Sequence, residues 1–454
     1  MLSEVVRLLP RSGSYEKALD LYRAAFLRNC ANELHGVRTP DGAFLRARAM
    51  LRIGSPDQAM DVVSRIDAGE LDDVRRSHRA LLSAVAAGRI GKIDTANDYY
   101  TEARIFAISS NDVTLEVEGD FYRALAAFGA NDLTEAAALC DQAIATMKTK
   151  NSAPTGGGMI PLDHVMSRVL ELRGMIYGTE GSYDAHATFS RAALAKLDAS
   201  IVPDVFQEAF ALRNLTILAR DFDVVSDAAA MQDRVPSLSW TEDLAAVGFA
   251  TYEALAWCLA LRGDCIGALR NLRAAAKHMT SGAEGVILSV DRAVFAREHG
   301  HIPMVVDELE HAADLARGVN WNDAAGDTRD ALLSLAQAAA PMSSRMAREM
   351  LDRYTNISKA MNPNYASRIE PRTRAQENFT HGLVLRSEGR DHASMERLTD
   401  AFQIWHAIGY EWRASRAAVE LAEMNAGEKY KLVVRREISQ RPTSIFAARA
   451  RLVA

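Results

Sequence analysis

Apolar positions along this chain recur at the three- to four-residue spacing of a helix, and short glycine-centred turns interrupt the pattern again and again. In 120–129, Phe121, Leu125, Ala126 and Phe128 form such a stripe. In 251–261, Tyr252, Leu255, Ala256, Cys258, Leu259 and Leu261 leave little polar surface, the pattern of a central helix covered on both sides. No segment has the strict alternation of a strand. The turns share a form: a helix end, a Gly, and a second helix with Ala five residues past the Gly. Gly13…Ala18, Gly54…Ala59, Gly91…Ala96 and Gly263…Ala268 follow it, and Asn131…Ala136 substitutes Asn for Gly. Gly181…Ala185 and Gly389…Ala393 give a variant one residue shorter. With Asp221, Gly300 and Ala340 added on spacing, the anchors stand 37 to 50 residues apart. Self-similarity at that period marks stacked helix pairs, each burying its apolar face against its neighbours. The expectation is an all-α, right-handed superhelical solenoid of about ten antiparallel helix pairs.

Two stretches interrupt the period. Lys150–Gly158 and Met361–Pro371 are loops by composition, rich in Pro, Gly and Asn. They divide the chain into N-terminal repeats (1–150), central repeats (159–361) and C-terminal repeats with a basic capping helix (370–454), expected within one continuous superhelix. At 454 residues the chain exceeds what one compact core supports, so extension by repetition is natural. Aromatics are only 7% of it, which suits closely packed, Ala-rich helices. The N-terminus has no secretory pattern, and the sequence reading finds no run of about twenty apolar residues. A soluble, cytoplasmic protein with no membrane partner is expected. Cys30, Cys140, Cys258 and Cys265 form no CxxC pair and read as buried thiols.

The turn motif resembles tetratricopeptide-type repeats, which implies a tetratricopeptide-like solenoid, and the last repeat is more particular. A helix ending Trp405-His406-Ala407-Ile408, then Gly409-Tyr410, then Trp412-Arg413-Ala414-Ser415-Arg416-Ala417, is similar to the closing repeats of the MalT-like helical domains of bacterial signalling ATPases and LuxR-type regulators. The resemblance implies a sensing superhelix. The resemblance is to the helical domain alone: neither a nucleotide-binding module ahead of the repeats nor a DNA-binding helix-turn-helix after them is expected.

Candidate chemistry is sparse. Gly156-Gly157-Gly158 lacks the Gly-Lys-Ser/Thr and preceding strand of a phosphate loop. His299, His301 and His311 straddle a turn without the fixed spacing of a metal site, so no metal and no cofactor is expected. The chief candidate is a column eight residues before the anchors: Arg46, Arg123, Arg173, Arg213 and Arg292, with His381 in the same register. Equal offset in stacked repeats would place these on one side, as a groove ladder able to bind carboxylates or phosphates, or as ties to acidic neighbours. The stretch 429–454 carries Lys429, Lys431, Arg435, Arg436, Arg441, Arg449 and Arg451 against Glu437, a +6 tail on a chain of net charge −6. Its Leu432, Val433, Val434 and Ile438 point to docking on the body rather than to nucleic acid.

The function expected is a non-catalytic protein- or peptide-binding scaffold or sensor in bacterial regulation, its partner bound in the groove and suited to be anionic. The alternatives are a small-ligand sensor related to transcription regulators but without their DNA-binding domain, and an all-helical enzyme. Nothing in the sequence speaks to oligomeric state.

Overall fold

A computed structural model describes residues 14–37, 39–149, 160–222, 225–321, 326–361 and 371–454. Both interrupting stretches and the Gly13 turn lie largely or wholly outside them. The described residues form helices joined by turns and two short 3-10 segments, and no strand occurs among them. The fold is all-α and tetratricopeptide-like. In order, α1 is Ser14–Arg23, α2 Leu27–Glu33, α3 Pro40–Arg52, α4 Pro56–Ser64, α5 Asp73–Arg89, α6 Ile93–Ser109, α7 Val113–Gly129 and α8 Leu133–Thr149. Then come α9 Leu162–Thr179, α10 Tyr183–Ala199, α11 Val205–Phe222, α12 Val225–Ser237, α13 Ala245–Leu261, α14 Cys265–Ala276, α15 Gly282–Glu298 and α16 Ile302–Gly318. The last are α17 Gly326–Ala339, α18 Ser344–Met361, α19 Pro371–Ser387, α20 Asp391–Ala407, α21 Glu411–Glu423, α22 Glu428–Gln440 and α23 Ala447–Val453. Successive helices such as α5/α6, α9/α10, α15/α16 and α19/α20 pack as hairpins.

The turn chemistry explains the repeat. Gly54, Gly91, Asn131, Gly181, Gly263, Gly300 and Gly389 have φ between +61° and +88°. At Gly91, the Lys92 N–H donates to Ala87 O and the Gly91 N–H to Gly88 O, the double bond that closes a helix on a left-handed residue. Asn131, Gly181 and Gly389 close their helices with the same pair of bonds. Asn111 and Gly409, which join one hairpin to the next, use it too, so the motif is not confined to turns within a pair. Two anchors read from spacing need correcting. Asp221 sits inside α11, 1% exposed, and Ala340 follows α17 without a left-handed backbone.

The position five past each anchor is the contact that the repeat conserves in form. Ala59, Ala96, Ala136 and Ala268 are all buried there. In the two units read as one residue shorter, the equivalent position is again five past the Gly, occupied by the half-buried His186 and the fully buried Ser394. The opposing helix gives way to fit them. A Cβ on Gly178 would stand 2.5 Å from His186 Nδ1, and Ser394 Oγ donates 2.8 Å to Gly382 O.

The chain divides into two compact units: 1–214 with 237–244, and 215–236 with 245–454. In unit 1, α1 to α6 share a core containing Phe44, Leu45, Leu81 and Leu82, and α7 to α9 a second containing Val117, Phe121, Val169 and Ile176. In unit 2, α13 is buried along most of its length. Contrary to expectation, the segment Glu242–Leu261 is long and apolar enough to cross a membrane, yet 67% of its apolar window is buried in the fold. All four cysteines are free.

Candidate functional site

Buried polar side chains concentrate on the first helix of each hairpin. Arg48, Ser77, His78, Glu118, Asp120, His164, Arg168 and Glu171 in unit 1, and Thr251, Asp291, Gln337, Gln376, Ser415 and Glu420 in unit 2, are all of this kind. Second helices bury chiefly Ala, Leu and Val. A buried polar group is costly unless paired, so the pairings decide what these inner faces can do.

In unit 1 the charges close on one another. Arg48 grips Glu118 through two bonds of 2.5 and 2.7 Å, with side chains 2% and 1% exposed. Arg52 grips Asp204 through 3.1 and 2.8 Å bonds. Arg168 lies between them, 3.3 Å from Asp204 and 3.7 Å from Glu118. Burial works against both carboxylates, but the guanidiniums outweigh it and hold their pKa values below the usual range. His164 Nε2 donates at 2.7 Å to Val202 O, and burial pushes the pKa of the ring down. Burial pushes His78 down to about 4, so it sits here as a neutral ring. This cluster links α3, α7, α9 and the residue leading into α11. Every cation in it has a carboxylate.

Unit 2 has a comparable hub on Asp221, at the end of α11. Arg220 donates to Oδ1 at 2.8 Å, Tyr410 Oη donates to Oδ2 at 2.8 Å, and Trp412 Nε1 donates to the Asp221 carbonyl at 3.0 Å. Arg372 and Arg413 stand 3.7 and 3.8 Å away. Beyond it, near-parallel rings of Trp257, Trp412 and Phe446 stand with centroids 6.2 to 6.3 Å apart.

Those rings lead to a small, open-sided cleft of about 30 Å³ between α15, α21, α22 and α23. Its polar lining is Arg297, Ser415, Arg416, Glu420, Glu437, Arg441, Ser444 and Arg449; Trp412, Val419, Ile438 and Phe446 supply apolar wall. The basic C-terminal stretch is therefore docked on its own unit. Arg449 binds Glu420 at 2.6 Å and Glu423 at 2.8 Å, and Arg441 binds Glu437 at 2.6 Å. The link between α22 and α23 is pinned by Ile445 N–H to Ala260 O at 3.1 Å and Thr443 Oγ1 to Arg262 O at 2.9 Å. It passes so close to the Gly263 turn that a Cβ there would meet Thr443 O at 2.4 Å. Leu432, by contrast, stays 58% exposed.

Arg416 is the exception in this cleft. Arg297 has Glu298 at 3.0 Å, and Arg441 and Arg449 have the carboxylates just given. Arg416 makes no hydrogen bond or ion pair with any described residue, although Glu420 and Glu298 stand near enough to favour its charge, and its guanidinium lies 5.0 Å from the Phe446 ring centre, 5.2 Å from Phe379 and 6.0 Å from Trp412. Burial, then the like charges of Arg413 and Arg297, press its pKa down to about 9.

The arginine column divides between the units. In unit 1, Arg46 lies 2.9 Å from His35 Nδ1, Arg123 3.7 Å from Glu135, and Arg173 2.9 Å from Asp141 while stacking on Tyr177 at 4.1 Å. Arg213 lies close enough to lower the pKa of Glu171. Its offset was counted from Asp221, so its register differs from the rest. In unit 2, Arg292 lies 3.8 Å from Glu308, and burial lowers the pKa of His381. Arg416 was absent from the candidate column, although it stands in the closing-repeat segment singled out above; its lack of a partner is a fact of packing. Among the described residues, no group of three or more His, Cys, Asp or Glu side chains could hold a metal ion.

No family model matches this chain, and no curated protein matches it. Among solved structures it is similar to the apo form of the quorum sensor NprR from B. thuringiensis, at 12% identity and a TM-score of 0.47, over 79% of this chain and 97% of that one. It is also similar to the apo form of RapI, at 11% identity and a TM-score of 0.42, over 90% of this chain and 97% of that one. Likeness at this level carries no inference about what the chain binds.

Proposed function

We propose that this chain is a non-catalytic receptor module of bacterial regulation that binds a peptide or protein segment, with the unit 2 cleft as a contact point. The observation that carries the reading is the contrast between matched and unmatched charge. The buried cations of the unit 1 cluster and the Asp221 hub have carboxylates, while Arg416, in an open cleft, has none. An unmatched cation beside apolar wall is a feature of recognition, since it raises the energy of the empty protein and lowers that of a complex. The closing-repeat resemblance to MalT-like sensing domains runs through Trp412, Arg413 and Arg416, so the segment with the most family character is also the one that builds the cleft. In this reading the arginine column serves as ties between helices. A cytoplasmic location fits four free thiols.

Affinity capture with the full chain from the source organism, followed by mass spectrometry, tests the reading. A peptide or protein recovered by the native chain and lost with Arg416→Gln supports it. Co-purification of a small molecule alone would replace it with direct small-ligand sensing, and measurable turnover of a captured compound would move the chain to the enzymes.

A further inference from the structure

The chemistry of the cleft narrows what it takes. Its lining holds four arginines and two glutamates. Glu437 is occupied by Arg441 and by Ser415 Oγ at 3.1 Å, and Glu420 by Arg449 and by Arg386 at 2.6 Å. Arg297 has its own glutamate. One unit of positive charge is left over, on one guanidinium.

From this we infer that Arg416 receives a single carboxylate, carried by a ligand with an apolar side chain beside it; the free C-terminus of a peptide with an apolar last residue is the source that fits. Three features argue for it. A planar guanidinium fork matches a carboxylate with two parallel bonds. A monoanion cancels one unmatched charge, whereas a phosphate dianion would bring a second negative charge beside Glu420 and Glu437. Finally, Trp412, Phe446, Val419 and Ile438 form an apolar surface next to the cation, so a ligand joining the two chemistries fills both. The guanidinium also pays a cost while empty, because the neighbouring Arg413 and Arg297 repel it more than Glu420 and Glu298 offset. A bound carboxylate relieves that repulsion.

The inference rests on the receptor reading above, and one set of titrations separates the two. Thermal shift and calorimetry on the full chain would use four probes: benzoate, inorganic phosphate, and a blocked tripeptide ending in phenylalanine, as free acid and as C-terminal amide. The expected result is stabilisation by benzoate and by the peptide acid, with the amide and phosphate weaker by about tenfold or more. Arg416→Gln should remove the difference between acid and amide, and Arg416→Lys, which keeps charge without the fork, should fall between. Without ligand, Arg416→Gln should melt no lower than the native chain. Benzoate binding through Arg416 with no binding of either peptide upholds the carboxylate site and sinks the peptide reading. Equal binding of acid and amide would overturn the inference, as would stabilisation by phosphate alone or no shift with any probe. A ligand-free Arg416→Gln protein that melts several degrees lower would do the same, by making Arg416 structural.

Discussion

Unit 1 and unit 2 place their charges on the same kind of surface, the inward faces of first helices, and finish them differently. The unit 1 cluster is sealed: Arg48, Arg52 and Arg168 meet Glu118 and Asp204 at side-chain exposures of 10% or less. The unit 2 cluster begins the same way on Asp221, then runs on into a cleft where Arg416 is in excess. The lesson is that a buried charge says nothing of role until the distance to its nearest carboxylate is known. Matched, it fixes which helices meet; unmatched at an opening, it is available to something else.

The sharpest way to break the comparison is Glu118→Ala. It strands Arg48, and leaves Arg168 with Asp204 alone, in a dry interior. A loss of about 3–5 kcal/mol is expected from chemical denaturation. A loss below 1 kcal/mol would mean that water reaches the cluster and that the two units do not differ as described.

Glu171 offers the next effect. It is 5% exposed, and burial raises its pKa to about 7 against the bonds from Asn214 and Ser190. A raised folded value means the native state holds a proton that the unfolded chain has already lost. Its contribution is therefore intact below pH 4.5 and is lost as pH climbs through 7, to a total of about 3 kcal/mol. Glu171→Gln should recover most of that at pH 8 and nothing at pH 4.5. Equal effects at both pH values would refute the assignment.

Arg123, Arg173 and Arg292 replaced together by Ala come third. Their acidic partners are 51%, 57% and 17% exposed, so about 0–1 kcal/mol each is expected. Partner binding should survive. Binding lost at an unchanged melting temperature would restore the column as a contact surface. The smallest effect belongs to Arg416→Gln without ligand, a change within about 0.5 kcal/mol or a slight gain.

What was legible in the sequence follows the physics of each feature. A left-handed backbone has few tolerant residues, so Gly54, Gly91, Asn131 and Gly263 announce their turns. Where the anchor had neither Gly nor Asn, at Asp221 and Ala340, it failed, because spacing drifts with every insertion. Ala185 and Ala393 misled for a related reason: His186 and Ser394 take the place five past the Gly because Gly178 leaves room for the imidazole and the Gly382 carbonyl accepts from the Ser394 hydroxyl, compensations on the facing helix that no local pattern records. Arg416 was in view as a letter. That it lacks a carboxylate depends on helices brought together from positions 297, 379 and 446.

The seating of the 441–446 link has a consequence for how the cleft comes and goes. Gly54, Gly91, Gly181, Gly300 and Gly389 have open space where a side chain would stand, but Gly263 has the Thr443 backbone. The link is held there by bonds to two carbonyls at the end of α13, and it carries Phe446, one wall of the cleft. Undocking it would leave the helices of unit 2 intact while erasing the binding surface. Loss of ligand affinity in mild denaturant should therefore precede loss of helicity, making the cleft a local, separately melting part of the molecule.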